Sequence, residues 1–165
     1  MDRLILFRHG KAEPDSITGD DFDRRLAPRG VRESAQTAAQ LADLGFTPDL
    51  VLVSPAARTR DTWAAVCETF PNAQVRFEDE LYHAGSAAIR DAVEAIGDAC
   101  ATVMVVGHNP GLQELTVRLL REGSAPSGLI ARAQGGFPTG AAAVFLFDAN
   151  GRPHYDGLFY PDRRS

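Results

Sequence analysis

The sequence predicts a three-layer α/β/α sandwich around a mostly parallel central sheet. Three short apolar runs, residues 4–7, 50–53 and 102–106, are the first observation behind it. Each suits a strand buried on both faces, as the strands of a parallel sheet are. Helical patterns fall between the runs, and that alternation is the second observation. Size is the third. The 165 residues amount to about one domain, enough chain to bury a core without a disulfide or metal staple. The expected organisation is a single domain over residues 1–165, with no repeat and no interdomain linker.

The elements follow in order. After the first run, Pro28 and Gly45 bracket a helix in which Val31, Ala35, Ala38 and Ala42 recur on one face. After the second run, Trp63, Val66, Cys67 and Phe70 mark another helix, ended by Pro71. Trp63 belongs to its buried face. Residues 75–77 suit a short strand. Ile89, Val93 and Ile96 form a third helix, with Ser86 as its cap and Gly97 at its close. Leu112, Leu115 and Leu119 mark a fourth. Residues 121–140, rich in Gly, Ser, Pro and Ala, are expected as a long surface loop. Residues 141–147 and 155–160 suit two strands joined by a turn at Asn150-Gly151, adding an antiparallel edge to the sheet.

Composition narrows the function. Hydrophobic residues at 44% and charged residues at 24% are ordinary globular usage, which excludes a disordered or collagen-like chain. Seventeen basic against 22 acidic residues give a net charge of −5. A nucleic-acid or membrane-surface binder would need a basic excess; a small anion pocket would not. Cys67 and Cys100 form no CxxC pair and no zinc spacing, so both are expected as free, buried thiols in a reducing cytosol. The N-terminal apolar run is too short for a secretory signal, and no stretch approaches the roughly 18 apolar residues of a membrane span. The expectation is a soluble, cytoplasmic protein. With no coiled coil or long apolar stripe, it is expected to be a monomer.

In α/β sheets ligands bind beyond the carboxyl ends of the strands. The first run leads into Arg8-His9-Gly10, the second into Ser54-Pro55 with Arg58 just beyond, and the third into Gly107-His108-Asn109-Pro110-Gly111. If those strands are parallel neighbours, two imidazoles and two guanidiniums converge at one sheet edge. Arginine forks match phosphate oxygens and keep their charge. Positive neighbours keep an imidazole unprotonated, so a ring nitrogen stays free to attack phosphorus. Gly10 lets the backbone pass close to the ligand, and helix N-termini after Pro55 and Pro110 add oriented N–H groups. No metal or cofactor is required, because the arginines do the charge neutralisation that Mg²⁺ does in kinases. His154, near a strand start, has no assigned role.

These motifs resemble those of the histidine phosphatase superfamily, which includes the phosphoglycerate mutases. The matching segments are Leu-Phe-Arg-His-Gly at 6–10, Ser-Pro-x-x-Arg-x-x-x-Thr at 54–62 and Val-Gly-His-Asn-Pro-Gly at 106–111. The resemblance is closest to the short, SixA-like branch of phosphohistidine phosphatases. That branch also shows a segment like residues 21–26 ahead of Arg29-Gly30 and a Phe-Pro-Thr-Gly segment, here at 137–140. The resemblance implies the fold of that superfamily, His9 as the nucleophile that becomes phosphorylated, and Arg8, Arg58 and His108 as the groups holding the phosphoryl oxygens. Asn109 is implied at the pocket rim as a further phosphate-binding residue.

The wider superfamily places a glutamate after the third strand to protonate a departing alkoxide. At the corresponding position this chain has His83. Glu80 is nearby, on the opposite side of an extended backbone. Asp21 is the other candidate acid, on a loop able to fold over the pocket. An alkoxide needs a good general acid, whereas an imidazole leaves as a far weaker base. The departure therefore favours phosphohistidine in a protein as substrate. The alternatives are a broad phosphomonoesterase acting on a small phosphorylated metabolite, and a non-catalytic module binding a phosphorylated partner. A mutase fits less well, since the chain lacks long insertions that would retain an intermediate donor. Specificity is expected to lie in residues 11–27 and 121–140.

Overall fold

A computed structural model of the chain describes residues 1–162. Its strands are β1 (Arg3–Arg8), β2 (Leu50–Val53), β3 (Gln74–Phe77), β4 (Thr102–Gly107), β5 (Ala142–Phe147) and β6 (Pro153–Phe159). They form a 6-stranded sheet in the order β3-β2-β4-β1-β5-β6. The first four strands are parallel, and β5 and β6 add the antiparallel edge. The helices are α1 (Pro28–Asp43), α2 (Ala57–Val66), α3 (Ser86–Glu94), α4 (Gly111–Glu122) and α5 (Ser127–Gly135).

Apolar runs without alternation become central strands because both faces of the sheet are covered. Leu4, Leu6, Leu50, Leu52, Val103 and Val105 point to one core, which they share with Ile89, Leu112 and Ala133 of α3, α4 and α5. Ile5, Phe7, Val51, Val53, Met104 and Val106 point to the other, with Leu41 of α1 and Val66 of α2. Alternate side chains thus feed opposite layers, and the three-layer architecture follows. Strand β3 lies at an edge with its residues exposed, which explains its weak apolar signal.

Several expectations are corrected. The segment at 121–140 is not one long loop: α4 runs on to Glu122, and α5 occupies Ser127–Gly135. The buried face of α1 is Gly30, Glu33, Ser34, Thr37, Ala38 and Leu41, while Val31 is exposed. That face meets the chain after β1 so closely that a Cβ on Gly30 would collide with the Lys11 backbone, and small residues are needed there more than apolar ones. Helix α2 ends at Val66, so Cys67 and Phe70 lie beyond it, and Trp63 is only half-buried. Ser86 is the first residue of α3 rather than its cap, which is Gly85. Cys67 and Cys100 are free, as expected, but only partly buried.

Candidate active site

Between β2 and β1 stands β4, so the three strands that carry the motifs are direct neighbours ending at one edge. Backbone bonds tie these ends together. His9 N donates to Gly107 O at 3.1 Å, and Ser54 N donates to Val106 O at 3.1 Å. His9 and His108 are buried, at 7% and 6% exposure, with ring centroids 5.3 Å apart.

His9 is set up by its own neighbour. Nδ1 lies 2.7 Å from the Gly10 carbonyl oxygen. A carbonyl only accepts, so Nδ1 carries the proton and Nε2 keeps its lone pair. Burial, helped by the charges of Arg8 and Arg58, pushes the pKa of His9 down to about 3, against the opposing pull of the Gly10 carbonyl. Burial also lowers His108 to about 3, with His9 and Arg58 adding to it. Both rings are therefore neutral near neutral pH.

Gly10 itself is pressed against α1. A Cβ there would stand 2.5 Å from Gly30 O and 2.6 Å from Ser34 Oγ. Its N–H donates to Thr62 Oγ1 at 3.0 Å, and that hydroxyl donates to the Arg58 carbonyl at 2.8 Å. Thr62 thus couples the loop that bears His9 to the first turns of α2, which bear Arg58. The His108 ring is held through Nε2, 2.7 Å from Ser54 Oγ. Arg8 Nη1 and Asn109 Nδ2 both donate to the Phe137 carbonyl, each at 2.9 Å. Nδ1 of His108 and Oδ1 of Asn109 are buried without a hydrogen-bond partner among the described residues. Orphaned polar atoms beside two arginines suit a ligand with both acceptor and donor oxygens.

The sequence profile of the histidine phosphatase superfamily (branch 1) matches residues 4–86. The chain belongs to this superfamily. An uncharacterised protein of Mycobacterium tuberculosis is 36% identical to this histidine phosphatase over 138 residues, covering 83% of this chain and 84% of that protein. Among solved structures, a candidate phosphohistidine phosphatase SixA from Agrobacterium tumefaciens superposes with a TM-score of 0.85 at 32% identity, covering 97% of this chain and 98% of the other. A second candidate SixA, from Nakamurella multipartitia, gives 0.84 at 32% identity over 97% of this chain and 96% of its own. The superfamily and these neighbours make the chain a phosphatase, with a SixA-like fold.

The two candidate acids of this histidine phosphatase are placed very differently. Asp21 lies on a 3₁₀ turn, Asp21–Asp23, in the loop after β1. That loop is closed at its base by the Ala12–Leu26 bridge and by Glu13 N donating to Arg25 O at 2.8 Å. Arg58 donates through Nη1 to Asp21 O at 3.0 Å and through Nη2 to Asp21 Oδ2 at 3.1 Å. Tyr82 Oη donates to the same Oδ2 at 2.7 Å, and Arg24 reaches Oδ1 at 2.9 Å. The Tyr82 hydroxyl first, with Arg24 and Arg58, holds the Asp21 carboxyl well below the usual carboxylate range. Glu80 is exposed on the 3₁₀ turn Asp79–Leu81 and makes none of these contacts. Sequence reasoning missed Ser54, Tyr82, Asp61 and the Phe137 carbonyl as site residues. Ser54 and Asp61 lay inside a quoted motif, and Phe137 inside another, so only their partners were hidden. No group of His, Cys, Asp and Glu that could hold a metal ion occurs among the described residues.

Proposed function

We propose that this phosphatase removes the phosphoryl group from phosphohistidine in a protein, through a phosphorylated His9. One observation carries the nucleophile assignment: the Gly10 carbonyl accepts from Nδ1–H of His9 and leaves Nε2 with a free lone pair beside Arg8, Arg58 and His108. In the first step Nε2 forms a bond to phosphorus as the substrate's P–N bond breaks. The substrate ring, its other nitrogen already protonated, leaves as neutral imidazole with the electron pair of the broken P–N bond on the released nitrogen. In the second step a water oxygen attacks phosphorus, the P–Nε2 bond breaks, and inorganic phosphate leaves with the water's oxygen. Arg8 and Arg58 hold the equatorial oxygens. His108 serves in the tautomer with its proton on Nδ1, which binds an oxygen, while Nε2 accepts from Ser54 Oγ 2.7 Å away; Asn109 completes the rim.

The choice of substrate is supported by the state of the acids. Asp21 is ionised and bound to two arginines, so it is read as the anion that holds Arg58 in place rather than as a proton donor. Glu80 stands apart. A pocket without a protonated carboxyl suits a leaving group that departs as a weak base, and imidazole is one. The SixA-like neighbours point to the same phosphoprotein class.

The test is mass spectrometry on protein mixed with a histidine-phosphorylated carrier protein and quenched in alkali within the first turnover. The expected result is one added phosphoryl group on His9, absent in His9→Ala. Steady-state rates on the carrier protein, free phosphohistidine and alkyl phosphates complete it. Faster turnover of the alkyl phosphates, or no phosphoryl-enzyme, overturns the proposal.

A further inference from the structure

Three aromatic rings step outward from the His9–His108 pair. Tyr82, half-buried, meets His108 in an edge-to-face arrangement with centroids 5.6 Å apart. His83, exposed, stacks on Tyr82 at 3.9 Å with an interplanar angle of 35°. Phe22, 36% exposed, packs edge-to-face with Tyr82 at 5.0 Å and 83°. The rings come from two separate parts of the chain, the loop after β1 and the segment between β3 and α3. Their meeting is not the by-product of one amphipathic element.

The backbone supports the same reading. His83 has φ of 61°, in the left-handed region, which a residue with a Cβ occupies at some cost. That conformation lays its imidazole on the Tyr82 ring. Large rings left partly open to solvent beside a polar pocket are available to a ligand rather than spent on the core.

We infer that Phe22, Tyr82 and His83 form the seat of the leaving group and select a flat aromatic one, an imidazole, over an alkyl one. The inference rests on the phosphohistidine reading and extends it to the residues that set specificity. Aromatic rings attract one another in edge-on and offset arrangements, and both are already present here. In an in-line transfer the leaving group lies opposite the attacking Nε2. That places it on the side away from His9, toward the solvent-facing rings. Tyr82 serves this role with its ring, while its hydroxyl serves Asp21.

The experiment compares free phosphohistidine with phosphoramidate. Both break a P–N bond, but only the first releases a ring. In Phe22→Leu and in His83→Ala, the ratio of kcat/KM on phosphohistidine to kcat/KM on phosphoramidate is expected to fall about tenfold, mainly through KM. Tyr82→Phe and Phe22→Tyr keep the rings and should keep the wild-type ratio. If the ratio does not move in the ring-removing variants, the seat is overturned while the substrate reading stands. If the wild type prefers alkyl phosphates to phosphohistidine, the substrate reading fails and the seat's occupant with it.

Discussion

Ser54 and Gly10 show how little separates a structural contact from a chemical one. The Ser54 hydroxyl is the partner of a buried imidazole nitrogen. Ser54→Ala leaves His108 Nε2 unsatisfied, which costs about 1–3 kcal/mol and frees the ring's tautomer. The expected outcome is a lower chemical-denaturation midpoint together with a fall in kcat of roughly tenfold, smaller than the roughly 10²–10³ of a lost direct oxyanion donor because Ser54 acts through His108. Unchanged kcat would show that the Ser54 hydroxyl does not set the His108 ring for the reaction. Gly10 is constrained on the other side, by Gly30 O and Ser34 Oγ. Gly10→Ala overpacks that contact at about 1–3 kcal/mol and moves the carbonyl that fixes the His9 proton. Both stability and first-turnover phosphorylation of His9 should drop, read by urea unfolding and by mass shift. Arg8, His9, Arg58 and His108 were legible as candidates because their side chains are of the types phosphoryl chemistry calls for. The Phe137 carbonyl was not, because a main-chain acceptor has no signature in the residue type.

The loop of residues 11–27 behaves as a clasped unit. Arg25 donates to both oxygens of Asp61 on α2, at 2.7 and 2.9 Å, and Asp61 also accepts from Leu26 N at 3.0 Å. The clasp holds Asp21 and Phe22 over Arg58 and Tyr82. Asp61→Ala should speed hydrogen exchange at the amides of 13–26 and raise KM for phosphohistidine. Formation of the phosphoryl-enzyme at saturating substrate should persist. Loss of phosphorylation with no change in exchange would mean that Asp61 acts on the chemistry and not on the loop. Helices and strands with long apolar periodicity were readable. Helix α5 was not: Ser127-Gly128 and Gly135-Gly136 at its ends look like loop, and Ala133 is its single fully buried residue. Packing on α4 and the Gln113 bonds to Ala133 O and Gln134 O hold it in place. The face of α1 was misjudged for a related reason, since the close approach of Gly10 and Lys11 to Gly30 and Ser34 leaves room there only for small residues.

For the molecule as a whole, the two buried imidazoles link folding to pH. In the unfolded chain each titrates near its ordinary value of about 6.5; in the folded chain both are held down to about 3. Between those values the unfolded state binds more protons, so stability is lost as pH falls below about 6.5 and goes on falling toward 3. The limiting slope is about 1.4 kcal/mol per pH unit for each histidine. Urea midpoints should decline from pH 7 to pH 5, and less steeply in His108→Phe. Asp21, Asp61 and Glu122, each lowered from its ordinary value by arginine partners and, for Asp21, first by Tyr82, keep their contribution above about pH 4 and lose it only at lower pH. The two regimes are thus separable, and a flat midpoint over pH 7 to 5 would contradict the burial of the histidines.

The order of apolar runs, and the Arg-His-Gly, Ser-Pro-x-x-Arg and Gly-His-Asn motifs at their ends, were enough to define the α/β layers and the phosphoryl chemistry, because period and residue type are properties of the chain alone. Which nitrogen of His9 is free, that Asp21 sits ionised on Arg58 while Glu80 faces solvent, and that Phe22, Tyr82 and His83 meet, depend on distances between segments far apart in the chain. Those distances arise only when β2, β4 and β1 lie side by side and the loop after β1 folds across their ends.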